Sequence, residues 1–181
     1  GYNHSTGYSM LGYLCAYMRY YYPVEFCTGF LNCSSTDKDI YNGTMLAQQR
    51  NCTIKKPLFR ESRSTFSCEA KDRLIYKGIG SIKDIGQQCG EKLYSLKNVH
   101  YDTFYDLLKN IKDSSLANKK EIKILICINF FREFGNIHLL VAMQKLFDNL
   151  YGKKTLRINE LSNYYIDDKN IDTYCQKVTK K

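Results

Sequence analysis

Apolar and aromatic residues recur at helical spacing along most of the chain. His4, Tyr8, Leu11, Cys15, Met18 and Tyr22 fall three or four apart. That spacing places side chains on one face of a helix, so residues 4–22 are predicted helical. Tyr13, Tyr17, Tyr20 and Arg19 occupy the other side. A helix that is aromatic nearly all round is expected to be covered on more than one side. Pro23 ends this helix or restarts a second one through Cys33, since proline suits a first turn. Ser34-Ser35-Thr36-Asp37 makes a turn with an N-cap, and a third helix is predicted from there to about Arg50.

The pattern changes at residue 53. Two short strand-like runs, at residues 65–69 and 74–77, flank Lys71-Asp72 and predict a hairpin. From Ser81 onward the helical period returns, with Ile85, Cys89, Leu93 and Leu96 on one stripe. Thr103 with Asp106, and Asn118 with Glu121, have the spacing of capping boxes. They open helices carrying Phe104, Leu107, Leu108 and Ile111, and Ile122, Leu125 and Ile126. Asn136 opens a last helix with Leu139, Leu140, Met143, Leu146, Phe147 and Leu150, and Gly152 stands where it would stop. The reading is a mainly α fold with a small β insertion. Residues 1–52 form a helical segment, 53–80 the β insertion or connector, 81–150 a helical module, and 151–181 a polar tail or the start of a further segment.

The chain has 181 residues, of which 44% are hydrophobic, enough for one domain or two small ones with a packed core. The formal net charge of +9 points to nucleic acid, an anionic membrane or acidic partners, or simply to solubility. No apolar run is long enough to span a bilayer, and no signal peptide opens the chain. The first residues, Gly1-Tyr2-Asn3-His4, lack a methionine and fall directly into a helical pattern, as expected of a fragment.

Cysteine usage admits two readings. The eight cysteines, at 15, 27, 33, 52, 68, 89, 127 and 175, form no Cys-x-x-Cys pair, so zinc-ribbon spacing is absent. Together with Asn-x-Ser/Thr matches at Asn3, Asn32, Asn42 and Asn51 they fit a secreted, glycosylated interaction domain. Cys15, Cys89 and Cys127, however, fall on apolar helical stripes, where cysteine acts as a small hydrophobe. The favoured reading is reduced thiols in a cytoplasm.

Catalytic constellations are sparse. His4, His100 and His138 lack metal spacing, and a satisfied core or cap histidine is the expected role of each. Asp167-Asp168 lies in the polar tail and reads as a solvated cluster rather than a rigid carboxylate pair for two metals. Ser5 and Ser9 have no base at helical spacing. No catalytic and no metal-ligating residue is assigned.

The strongest lead is "LIYKGIGSIKDIG", residues 74–86. It lacks the Gly-Lys-Ser/Thr of a phosphate-binding loop, and Lys83 stands where a dinucleotide fingerprint needs glycine. A helix-hairpin-helix, whose turn aims backbone N–H groups at a DNA phosphate, stays open. So does a bland turn from strand to helix. The basic residues Arg50, Lys55-Lys56, Arg60, Arg63, Lys77, Lys83, Lys119-Lys120 and Lys153-Lys154 are scattered, and most read as a solvated face.

"HSTGYSMLGYLCAYMRYYYPVEF", residues 4–26, resembles the fingers region of the bacterial replicative DNA polymerase III alpha subunits, the C-family polymerases. The shared frame is His4, Tyr8, Tyr13, Ala16-Tyr17, Tyr22-Pro23 and Glu25-Phe26. "YKGIGSIKDIG", "TFYDLL" and "NKKEIKILICINFFREFGN" follow in the family's order, so the resemblance covers roughly residues 1–150. It implies a piece of a polymerase that extends a primer by two-metal nucleotidyl transfer. Mg2+ and the catalytic aspartates would sit in a palm outside this segment. It implies a fingers helix facing the incoming dNTP and template through His4, Ser5, Tyr8 and Arg19, by stacking and phosphate pairing. It further implies a hairpin holding the primer-template backbone through Lys83, Asp84, Ile85, Gly86 and Gln87, without reading sequence. The palm, thumb and C-terminal segments would be its protein partners, with no membrane, in a cytoplasm. Two positions depart from the family. Tyr2 stands where a lysine is usual, and Asp84-Ile85-Gly86 where the hairpin reads Gly-apolar-Gly. Asp84 is expected at positive φ, which Asp tolerates better than most residues, with a charge that repels phosphate. The alternatives are a stand-alone DNA-binding module and the secreted cysteine-rich domain.

Overall fold

The computed structural model describes residues 2–152; the polar tail and Asp167-Asp168 lie outside them. Seven α-helices and a three-stranded sheet are present among the described residues: α1 Tyr2–Tyr21, α2 Pro23–Cys33, α3 Asp37–Gln49, β1 Thr53–Lys55, β2 Ser67–Glu69, β3 Leu74–Tyr76, α4 Gln87–Ser95, α5 Phe104–Asp113, α6 Lys119–Cys127 and α7 Ile137–Leu150. The chain is mainly α with a small β insertion, as its periodicity indicates.

Local chemistry sets most boundaries. Pro23 occupies the first turn of α2, where its missing N–H costs nothing. The Thr36 hydroxyl accepts from the Asp39 amide and caps α3. Both capping boxes are formed, Thr103 with Asp106 on α5 and Asn118 with Glu121 on α6. The Asn136 side chain caps α7 by accepting from the Leu139 amide.

Two apolar cores result. Val24, Cys27 and Leu31 of α2 pack with Ala47 of α3, Cys52, Phe66 and Ile75, so the sheet closes the core of α2 and α3. The larger core joins α4 to α7 through Ile85, Leu93, Phe104, Leu107, Leu125, Phe131 and Leu140, with Phe59 reaching in from the connector. Each such side chain contributes about 1.5–3 kcal/mol on burial.

The β2–β3 hairpin forms as expected, antiparallel, with Cys68 opposite Ile75. β1 has no counterpart in the sequence reading. It pairs parallel with β3, Ile54 opposite Ile75, giving the order β1-β3-β2. Three residues before Lys56-Pro57 are too short to show a period of two. Asn32 fastens α2 to the approach of β2. Its carboxamide accepts from the Phe66 amide (2.8 Å) and donates to the Phe66 carbonyl (2.9 Å).

Three expectations need correction. The chain from Ser81 is not yet helical: a single 3-10 turn at Ile79–Ser81 and a tight turn at 83–84 precede α4, which starts at Gln87. Residues 4–22 are exposed along their whole length, so α1 is not covered on more than one side. His4 and Cys15 accordingly lie on an open helix face rather than in a core, whereas Cys89 and Cys127 are buried as their stripes indicate.

Candidate nucleic-acid interface

The glycine-rich stretch divides into two parts with different jobs. Gly78, Gly80 and Gly90 all pack on the segment around Ser64. A Cβ on Gly78 would lie 2.5 Å from the Ser64 carbonyl oxygen, and one on Gly90 2.8 Å from the Ser64 Cα. The Ile79 amide donates to the Arg63 carbonyl (2.9 Å) and the Gly80 amide to the Ser64 carbonyl (2.8 Å). The Ser64 hydroxyl donates to the Gln87 carbonyl (2.9 Å). The Ile79 and Gly80 amides are therefore consumed inside the protein, and the glycines admit another piece of backbone.

The second part is the hairpin. Ile82 leaves the 3-10 turn extended, Asp84 stands at φ +66, and the Ile85 amide donates back to the Ile82 carbonyl (3.1 Å). Ile85 is buried, 5% exposed, and anchors the turn in the larger core. Lys83, Asp84, Gly86 and Gln87 are exposed. Gly86 is the N-cap of α4 and offers no side-chain cap. A helix start leaves its first N–H groups unpaired. Here the amides of Gly86, Gln87 and Gln88 donate to no acceptor among the described residues. With the positive end of the α4 dipole behind them, these exposed, unpaired amides have the chemistry to receive an anion.

α6 stands against this turn. Lys120 pairs with Asp84 at 3.1 Å. Next to it, Glu121 lies near the Cys89 thiol, whose pKa is pushed up to about 12, chiefly by burial and then by that carboxylate. The sequence reading assigns most of the scattered cations, Lys119-Lys120 among those weighed, to a solvated face. A lysine in the first turn of a helix is disfavoured by the dipole, and that position was the signal that an acidic partner stood nearby.

The nucleotide-facing candidates are spread along α1. His4 and Tyr8 meet edge to face, with ring centroids 5.5 Å apart. Arg19 lies eleven residues beyond Tyr8, about 16 Å along the helix at 1.5 Å per residue, so the structure does not gather His4, Ser5, Tyr8 and Arg19. Arg19 instead lines an open groove with Tyr20 of α1, Phe26 of α2 and Arg50 at the end of α3. Arg50 was among the scattered cations of the sequence reading. Beside this groove, burial and the neighbouring Cys52 hold the Cys27 thiol up to about 11, against the opposing pull of Arg19 and Arg50. The tyrosines of α1 form an exposed stack in which Tyr17 touches Tyr13, Tyr21 and Tyr22 at 4.6–6.4 Å.

Among the described residues no group of three or more His, Cys, Asp or Glu could hold a metal ion. They do not fit a two-metal centre. Among the described residues no helix is long and apolar enough to cross a membrane.

Comparison with known proteins places this geometry. A family model described as a helix-hairpin-helix motif matches residues 51–138, which include the turn and α4 through α6. The DNA polymerase III subunit alpha of Ureaplasma parvum is 26% identical over 181 residues, covering 92% of this chain and 19% of the relative. That of Mycobacterium tuberculosis is 30% identical over 158 residues, covering 84% and 13%. That of Campylobacter jejuni is 29% identical over 155 residues, covering 82% and 12%. The chain thus spans less than a fifth of the length of these curated relatives.

Proposed function

We propose that this chain, which resembles a segment of the DNA polymerase III alpha subunits over most of its length, serves as a non-catalytic, DNA-holding part of a replicative DNA polymerase. The observation that carries the reading is the hairpin at residues 82–87. Its unpaired amides and its cation from α6 lie inside the region that matches a helix-hairpin-helix motif. Such a turn grips backbone phosphate and carries no base-reading group, so the substrate class is primer-template duplex without sequence preference.

In the same reading α1 belongs to the fingers. Its bare aromatic flank and the Arg19–Arg50 groove face the incoming dNTP and the templating base, by stacking and phosphate pairing. The palm, thumb and C-terminal segments of the parent polymerase supply the surfaces that cover α1 and the carboxylates that hold Mg2+, in the cytoplasm. The exposure of Tyr8, Tyr13, Leu14 and Tyr20 supports this over a stand-alone module, because apolar patches of that kind mark contact surfaces. The secreted alternative is disfavoured by Asn32, whose carboxamide nitrogen is already committed to Phe66.

The test is duplex binding by the purified chain across a salt series. Affinity should fall steeply with salt, because each phosphate contact releases counterions. Salt-insensitive binding, or none, overturns the reading. Primer extension by the chain alone, with Mg2+ and all four nucleotides, overturns its non-catalytic part.

A further inference from the structure

Asp84 and Lys120 hold one another across two elements. The ammonium of Lys120 lies 3.1 Å from the Asp84 carboxylate, and both side chains are about half exposed, 65% and 48%. Lys120 is the second residue of α6, where its charge opposes the helix dipole. Its neighbour Lys119 pairs elsewhere, with Asp148 of α7 at 3.5 Å. Asp84 is two residues before the N-cap Gly86, at most about 7 Å of backbone away, so its ion pair with Lys120 sits on the same turn as the unpaired amides. Glu121, in the same turn of α6, lines one shallow groove with Gly86, Gln87, Gln88 and Cys89. The backbone that carries Lys120 is thus placed beside the turn by the fold, and its side chain reaches the turn through the ion pair.

We propose that Lys120 is a phosphate-binding residue of the hairpin and that Asp84 is its internal counter-ion, displaced when a DNA phosphate arrives. The inference rests on the proposed DNA-holding role and names the cation that completes it. A half-exposed pair of this kind is weak, so exchanging carboxylate for phosphate is cheap. A phosphate at the turn also meets the Gly86, Gln87 and Gln88 amides, which Asp84 leaves unused. The residue that replaces a glycine in the turn therefore lowers affinity by competing for Lys120 and keeps that lysine over the site when DNA is absent.

The experiment is a double-mutant cycle on the full 181-residue chain, read by anisotropy of a labelled duplex at several salt concentrations, with melting curves to confirm folding. Asp84→Asn is expected to tighten binding about two- to fivefold, and Lys120→Gln to weaken it by at least as much. Lys120→Gln should also flatten the salt dependence by about one phosphate contact. In the double variant the gain from Asp84→Asn should disappear. If Asp84→Asn gives the same gain with Lys120 absent, Asp84 acts by repelling phosphate directly; the inference fails and the DNA-holding role stands. If the parent binds and none of the three variants shifts affinity, or if the parent does not bind, the hairpin is not the DNA surface and both fail.

Discussion

Gly90 and Ser64 are packed so closely that a methyl group on Gly90 would stand 2.8 Å from the Ser64 Cα. Gly90 is in the interior of α4, where helix propensity alone favours alanine by about 1 kcal/mol. The contact reverses that preference, because the obstacle is backbone and cannot rotate away. Gly90→Ala is expected to destabilise the chain by about 1–3 kcal/mol, measured by urea unfolding. A more stable variant would mean that the segment at 62–66 moves freely against α4.

Asn32 is expected to matter out of proportion to its exposure. Its side chain substitutes for a strand by pairing with both backbone groups of Phe66. Asn32→Ala leaves that N–H and C=O without their partner and should cost about 1–3 kcal/mol. Asn32→Asp keeps the acceptor and loses the donor, so it should fall between the two. Equal unfolding midpoints for Asn32→Ala and the parent would show that water replaces the carboxamide without penalty.

The N-cap of α6 ties stability to the interface. The Asn118 side chain accepts from the Glu121 amide at 2.9 Å, and Glu121 returns a bond to the Asn118 amide at 2.8 Å. Asn118→Ala should cost about 0.5–2 kcal/mol and loosen the turn that carries Lys120. Duplex binding should weaken with it, at a temperature well below the melting transition. Lost stability with unchanged DNA affinity would separate the cap from the interface.

Elements with long periods and clear start signals were legible in the sequence: α3, α5, α6 and α7 begin at their cap residues and α2 at Pro23. The hairpin turn at 83–86 was also legible, because Asp84 holds the positive φ of a glycine position. Three things were hidden, each by a tertiary cause. β1 exists only because β3 is there to pair with. Gly78 and Gly80 read as a turn from strand to helix, but their partner was not visible: the Ser64 backbone fills the space their missing side chains leave. The aromatic face of α1 carries the signature of a buried helix, and among the described residues nothing buries it.

Two buried thiols give the stability of the chain a pH signature. Burial, then the Glu121 carboxylate, raises Cys89 from 9.0 to about 12, and burial together with Cys52 raises Cys27 from 9.0 to about 11. The folded state therefore keeps protons that the unfolded chain gives up above pH 9. This stabilisation is fully present below pH 9 and is lost as pH rises through about 11 for Cys27 and about 12 for Cys89. Each thiol adds a slope of up to about 1.4 kcal/mol per pH unit within its window. Cys89→Ala and Cys27→Ala should each be less stable than the parent at neutral pH, because a packed atom is removed. Each should also lose less stability than the parent between about pH 8 and pH 10.5, where the thiols begin to titrate. Urea unfolding of the three proteins at both pH values makes the comparison. Parallel losses would show that the native thiols do not hold their protons more tightly than the unfolded ones.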